Sequence, residues 1–264
     1  MSDDTANNNP AEVIVFYHLP KSGGTTLNAI LKRNYPAEAF VECGPDTHAF
    51  VADLKTWPAE RLSAIRLLQG HFPFGLHNLL SQPTRCFTLL RDPIERVISY
   101  YYHARRDPSH YLYNLIHDNN WSLADLLASG TALMMNDGQV RLLSAVWGDA
   151  PFGGVDESML AKAVANLRNC DMVGVTEQFD RTLLLLQREF GWRHIGYARA
   201  NIGYNRPATE GLTAETIAAV RQCNRMDVLL YEEARRLLAA RAGDFGPTLG
   251  LRQLALDVRK RFAE

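Results

Sequence analysis

Four short apolar runs punctuate the chain: Val13 to Tyr17, Ile65 to Leu68, Cys86 to Leu90 and Met172 to Val175. Each is too short for a helix and is bounded by polar or turn residues, which is the pattern of strands buried on both faces. Between them, apolar positions recur with helical spacing over Thr25 to Arg33, Pro93 to Ala104, Leu123 to Leu127 and Ser158 to Leu167. Strand and helix alternate, so the expected class is α/β: a central, mostly parallel sheet flanked by helices in three layers.

Local signals mark several helix ends. Asp92 is placed to cap a helix, Pro93 suits its first position, and Glu95 follows three residues after the cap. Asp180 is expected to cap the leucine-rich helix that runs to Phe190, and Thr213 a long amphipathic helix ending near Arg241, with Gly243 and Pro247 terminating it. Leu249 to Phe262 carries apolar residues among basic ones, a terminal helix docked on the body or on a partner. No repeat or linker is visible, and Gly148 to Gly154 reads as a surface loop. The expected organisation is a disordered tail over 1–10, a single domain over 11–245 and a helical segment over 246–264.

Composition narrows the picture. Of 264 residues, 47% are apolar, enough for a sizeable core. The 28 basic and 29 acidic side chains nearly cancel, which gives no basic field for nucleic acid or an anionic membrane. Any anion site must be local. Cys43, Cys86, Cys170 and Cys223 lack metal-ligand or disulfide-module spacing and read as free thiols. The polar, acidic start is unlike a signal peptide, and no apolar run reaches the roughly 18 residues of a membrane span. A cytoplasmic protein is expected, with a homo-oligomer possible.

The candidate chemistry collects where strands end. His18-Leu19-Pro20-Lys21 follows the first, Gly70-His71 the second, Arg91-Asp92 the third and Thr176-Glu177 the fourth. In open parallel sheets ligands bind outside these carboxyl ends, so the four positions are expected to line one crevice. Lys21-Ser22-Gly23-Gly24-Thr25-Thr26 is a glycine turn opening a helix, a place for a phosphate at the positive helix end; a purely structural turn is the alternative. A nucleotide-kinase P-loop would put its lysine after the last glycine, whereas Lys21 precedes both.

His18-Leu-Pro-Lys-Ser-Gly-Gly-Thr-Thr-Leu27 resembles the 5′-phosphosulfate loop of the carbohydrate sulfotransferases related to heparan sulfate 2-O- and 6-O-sulfotransferases. Arg91-Asp-Pro-Ile-Glu-Arg-Val-Ile-Ser-Tyr-Tyr101 is similar to that family's 3′-phosphate segment, and Val173 to Glu177 and Asn224 to Tyr231 also resemble it. The resemblance implies a P-loop-like fold and transfer of a sulfuryl group from 3′-phosphoadenosine 5′-phosphosulfate (PAPS) to a carbohydrate hydroxyl, without a metal. It implies that Lys21, Ser22, Gly23, Gly24, Thr25 and Thr26 hold the phosphosulfate, that Arg91 and Ser99 hold the 3′-phosphate, and that His71 is the general base beside a catalytic Lys21.

Several alternatives stand beside these roles. Arg91 can instead pair with Asp92 or Glu95, and His71 can be an ordinary hydrogen-bonded residue. Glu177 is the second candidate base. Arg199 to Pro207 resembles the family's nucleotide-closing loop, which adds Asn201 and Arg206 to the cofactor set, but Gly203 stands where the family commonly has serine and an ordinary surface loop fits as well. Tyr100 to His103, Arg105, Arg106, Tyr111 and Tyr113 are candidates to line an acceptor groove or simply to pack. A nucleotide-dependent kinase and a non-catalytic nucleotide- or glycan-binding module are the competing functions.

Overall fold

The computed structural model describes residues 12–44, 46–146, 148–197, 212–246, 249–250 and 252–253. The elements are, in order, β1 (Val13–Tyr17), α1 (Gly24–Asn34), β2 (Phe40–Glu42), α2 (Thr47–Leu54), α3 (Ala59–Ala64), β3 (Leu67–Gly70) and β4 (Thr84–Leu90). There follow α4 (Pro93–Arg106), α5 (Tyr113–Asp118), α6 (Leu123–Ser129), α7 (Gly138–Leu143), α8 (Glu157–Arg168), β5 (Met172–Val175), α9 (Phe179–Phe190), α10 (Ala214–Gln222) and α11 (Arg225–Phe245).

The strands form one sheet in the order β2-β3-β1-β4-β5, with every pairing parallel. Successive side chains leave it in opposite directions. On one face Phe16 stacks on Phe87, which meets Phe190 and Trp192, while Asn34 at the end of α1 bonds to the backbone of Arg193 and His194. That face is covered by α1 and the α9 region. On the other face Tyr17 packs on Phe72 and Phe74. α1 buries Leu27, Ile30 and Leu31, spaced three and four apart on one stripe. Truncating any of them to alanine would cost about 2–5 kcal/mol.

Several expectations shift. β3 begins and ends two residues later than Ile65 to Leu68, because buried Gln69 remains in the strand: its amide donates to Asn28 Oδ1 and Glu42 Oε1. β2, absent from the sequence reading, is a three-residue edge strand with no fully buried residue. Asp180 does not cap α9, whose N-cap is Gln178; the Asp180 carboxylate instead accepts the Tyr197 hydroxyl at 2.6 Å. Thr213 caps its helix as expected, but that helix stops at Gln222 and α11 begins at Arg225, running on to Phe245. Between them, buried Asn224 donates to the carbonyls of Met135 and Val220 and accepts the Asp137 N–H. All four cysteines are free. The 1–10 tail and most of the 249–262 segment fall outside the described residues.

The strand order reverses direction between β1 and β4. The chain leaves β1 toward β2 on one side, and leaves β4 toward β5 on the other. Their carboxyl ends therefore flank the crevice that such a switch point opens.

Candidate active site

The turn leaving β1 is built to expose backbone donors. Lys21 lies in the left-handed region at φ 69, uncommon for a side-chain-bearing residue, and Gly23 follows at φ 80 as the N-cap of α1. No side chain caps that helix and its first turn holds no acid, so its N–H groups and positive end face the crevice uncompensated. α4 shows the contrast: the Asp92 carboxylate accepts the N–H groups of Ile94 and Glu95, both at 3.0 Å. A Cβ on Gly24 would stand 1.6 Å from His18 Nε2, so glycine is required for the histidine to lie against the helix start. Ser22 is fully buried, and its hydroxyl has no hydrogen-bond partner among the described residues. Thr25 is exposed and Thr26 half-buried in the first turn.

Two histidines sit over this turn, with ring centroids 4.3 Å apart. His71 Nδ1 lies 2.7 Å from the His18 carbonyl oxygen. A carbonyl only accepts, so Nδ1 carries the proton and Nε2 of neutral His71 keeps its lone pair. Burial lowers the His18 pKa to about 3, helped by His71 and Lys21. His71 is also lowered, first by desolvation, although its surface is open to solvent. Both hold for a ring on a crevice wall, with protein packed closely around it and water on one side. The Lys21 ammonium depresses His103 and His110 too, so one cation acts on four imidazoles.

Across the crevice, Arg91 follows β4. Its guanidinium donates from Nη1 to the Lys21 carbonyl at 3.0 Å and pairs with Glu95 at 3.5 Å. The ion pair with Glu95 named as an alternative is thus present, alongside the link to the turn. Ser99 lies half-buried further along α4. Glu177 is occupied: Oε1 accepts the Asp92 N–H at 3.1 Å and Oε2 the Tyr231 hydroxyl at 2.7 Å. Lys21, the glycine turn, Arg91, His18 and His71 are therefore joined by direct contacts, whereas Asn201 and Arg206 lie outside the described residues.

The sequence reading missed the buried polar layer beneath Arg91. Arg96, Gln139, Arg141, Asn224 and Asp227 are all fully buried, and Asp137 nearly so. Asp227 accepts the N–H groups of Gln139 and Val140 and faces Arg96 Nη2 at 3.4 Å. Burial raises both carboxyls of the layer, Asp137 to about 7 with further push from Asp227. The available signal was the polar run Asn136 to Gln139 set between apolar Leu133 to Met135 and Val140, Leu142 and Leu143.

Of the aromatic candidates, Tyr101 donates its hydroxyl to the Trp121 carbonyl and Tyr113 packs on His117, so both are structural. Tyr111 is 64% exposed and stacks on His110, whose ring lies 5.5 Å from His103. Among the described residues no cluster of His, Cys, Asp or Glu is arranged to hold a metal ion, and no helix is long and apolar enough to cross a membrane.

A glycine turn opening a helix at the switch point of an all-parallel, helix-flanked sheet defines an α/β protein of P-loop-like architecture. Comparison with known proteins gives a family similarity: the model described as "Sulfotransferase family" matches residues 4–130, just under half of the chain. Heparan-sulfate 6-O-sulfotransferase 3-B of Danio rerio is 27% identical over 87% of this chain and 64% of its own length. The human heparan-sulfate 6-O-sulfotransferase 1 is 26% identical over 87% of this chain and 66% of its own. The chain thus spans slightly under two thirds of these curated relatives. Among solved structures, retinol dehydratase in complex with androsterone and inactive cofactor PAP aligns with 88% of this chain and 81% of its own at 13% identity, with a TM-score of 0.25 too low to bear on the fold. The chain is thus similar to the sulfotransferase family over residues 4–130 and to heparan-sulfate 6-O-sulfotransferases over most of its length.

Proposed function

We propose that the protein is a PAPS-dependent O-sulfotransferase that sulfates a hydroxyl of a carbohydrate acceptor and releases adenosine 3′,5′-bisphosphate (PAP). The observation that carries this reading is the bond from Arg91 to the Lys21 carbonyl, which joins two anion-binding elements across the switch point. The site fits such a donor on its own terms. Ser22 presents a buried hydroxyl without a partner among the described residues, the start of α1 is uncapped, and the Gly24 position admits no side chain.

In this assignment the N–H groups of Gly23 to Thr26, the hydroxyls of Ser22, Thr25 and Thr26, and the Lys21 ammonium hold the 5′-phosphosulfate. Arg91 and Ser99 hold the 3′-phosphate, with Arg91 exchanging its Glu95 contact for the nucleotide. The donor supplies an activated sulfuryl group. The acceptor oxygen bonds to sulfur as the S–O bond to the 5′-phosphate breaks, and the acceptor proton passes to His71 Nε2. Lys21 and the α1 terminus stabilise the charge that grows on the departing phosphate oxygen. These groups account for the charge without a metal, so the reaction is proposed to be metal-independent. The acceptor class rests on the names of the relatives and on exposed Tyr111 beside His103 and His110, an aromatic surface suited to a sugar ring.

Thermal shift comparing PAP, AMP and ATP, each with and without Mg²⁺, tests the donor site. Selective stabilisation by PAP that disappears in Arg91→Ala is expected. A preference for Mg·ATP, or no selectivity, overturns the reading. Transfer from radiolabelled PAPS to a panel of oligosaccharides and non-sugar alcohols then tests the acceptor class.

A further inference from the structure

β4 ends at Leu90, which pairs with Val175, the last residue of β5. Arg91 therefore stands one residue past the β4–β5 ladder. There the Gln139 side chain binds both of that residue's peptide groups: Oε1 accepts the Arg91 N–H and Nε2 donates to the Arg91 carbonyl, both at 3.0 Å. This is the two-bond pattern of adjacent strands, made by a single fully buried amide. Behind it, Asp227 accepts the backbone N–H of Gln139 at 3.2 Å and that of Val140 at 2.8 Å. The Asp227 N–H in turn donates to Asp137 Oδ1 at 2.8 Å. The hold on Arg91 thus reaches back into the first turn of α11.

We propose that Gln139 is a positioning residue for donor recognition: it fixes the Arg91 backbone, and hence the direction of the guanidinium, in the state that receives a 3′-phosphate, with Asp227 fixing Gln139. The proposal rests on the donor-site reading given above. An arginine has four rotatable side-chain bonds, and a free backbone at its root would multiply the directions it samples. Removing the amide strands two backbone groups that relax toward other partners, so the competent fraction of Arg91 falls. Apparent affinity falls in proportion to that fraction, and most for ligands that contact Arg91. Among the described residues Gln139 itself makes no bond to the 5′-phosphate loop, which the arrangement reaches only through the Arg91 bond to the Lys21 carbonyl.

The test is isothermal titration of PAP and of AMP, which lacks the 3′-phosphate, into wild type, Gln139→Met, Gln139→Asn, Arg91→Ala and Gln139→Met/Arg91→Ala. Methionine keeps the volume and removes both bonds; asparagine keeps an amide too short to span both groups and guards against a misfolded methionine variant. Expected is a loss of about tenfold in PAP affinity for each Gln139 variant, as when the competent fraction drops to about a tenth. AMP affinity should fall by clearly less than PAP affinity, because AMP meets Arg91 only through the Lys21 turn, and Gln139→Met should have no further effect once Arg91 is alanine. Equal losses for PAP and AMP, no loss for either, or an undiminished effect in the Arg91→Ala background would overturn the proposal. Wild type that does not favour PAP over AMP would instead sink the donor-site reading, and the proposal with it.

Discussion

Arg91 Nη1 donates to the carbonyl of Lys21 at 3.0 Å, so the residue after β4 holds the left-handed turn after β1. At φ 69 a glycine would serve Lys21's backbone better, and left-handed backbone in a non-glycine residue costs on the order of 1 kcal/mol. Lys21→Gly is therefore expected to raise the melting temperature by about 2–4 °C while, on the proposed assignment, lowering kcat by about 10²–10³-fold through loss of the cation placed beside the leaving group. Calorimetry and transfer assays on the same preparation check both halves. Unchanged activity would remove the lysine from the chemistry, and a lowered melting temperature would show that its side-chain contacts outweigh the backbone cost.

His71 is expected to act in its neutral form, with Nδ1 donating to the His18 carbonyl and Nε2 left unprotonated. Desolvation first, and the Lys21 cation after it, hold its pKa below 6.5, against the opposing His18 hydrogen bond and the Glu42 charge. The base form is thus present at neutral pH and is lost as pH falls through that lowered value. kcat/KM should be flat near pH 7 and decline on an acid limb below about 6.5. His71→Ala should remove the limb and lower the plateau by about 10²–10⁴-fold while leaving PAP affinity intact. An unchanged limb would assign the titration to another group.

The legible parts of this molecule are those whose causes are local. Buried strands β1, β4 and β5 read directly as apolar runs, and the Asp92-Pro93-Glu95 start of α4 formed as its sequence specifies. Because the glycine turn and Arg91 abut such strands, their convergence was readable as well. What failed depends on distant partners. Asn224 breaks a helical pattern by bonding to Met135 and Asp137, Gln139 acts on a residue 48 positions away, and Asp180 is taken from its expected cap by Tyr197. β2 has too few residues and too little burial to leave a pattern.

His18 should make the fold acid-sensitive. Its pKa falls to about 3 in the folded protein through burial and the nearby His71 and Lys21 charges, against about 6.5 in the unfolded chain. The folded value is the lower one, so the unfolded chain takes up the proton first. The stability contributed is complete above about pH 6.5 and is lost as pH falls toward about 3. One such proton gives a slope of at most about 1.4 kcal/mol per pH unit. Denaturant titrations from about pH 7 to pH 4 should show His18→Gln with a shallower decline than wild type by up to one proton. Parallel declines would mean that His18 is protonated in the folded state over that range.

Glu177 ends β5 and was the rival to His71 for the acceptor proton, but both of its oxygens are engaged. Oε1 accepts the Asp92 N–H, next to the capping carboxylate that starts α4, and Oε2 accepts a hydrogen bond from the Tyr231 hydroxyl of α11. The residue ties three elements together at the rim of the crevice. Glutamine retains an oxygen for the Asp92 N–H, and its amide can donate to the Tyr231 oxygen with that hydroxyl turned away. Glu177→Gln should therefore keep kcat within a few-fold, while Glu177→Ala, which strands both donors at a partly exposed site, should cost about 1–2 kcal/mol of stability. A base has no such tolerance, because an amide cannot accept the proton. A fall of about 10²-fold or more in kcat for Glu177→Gln, with PAP binding intact and His71→Ala still active, would move the base from His71 to Glu177.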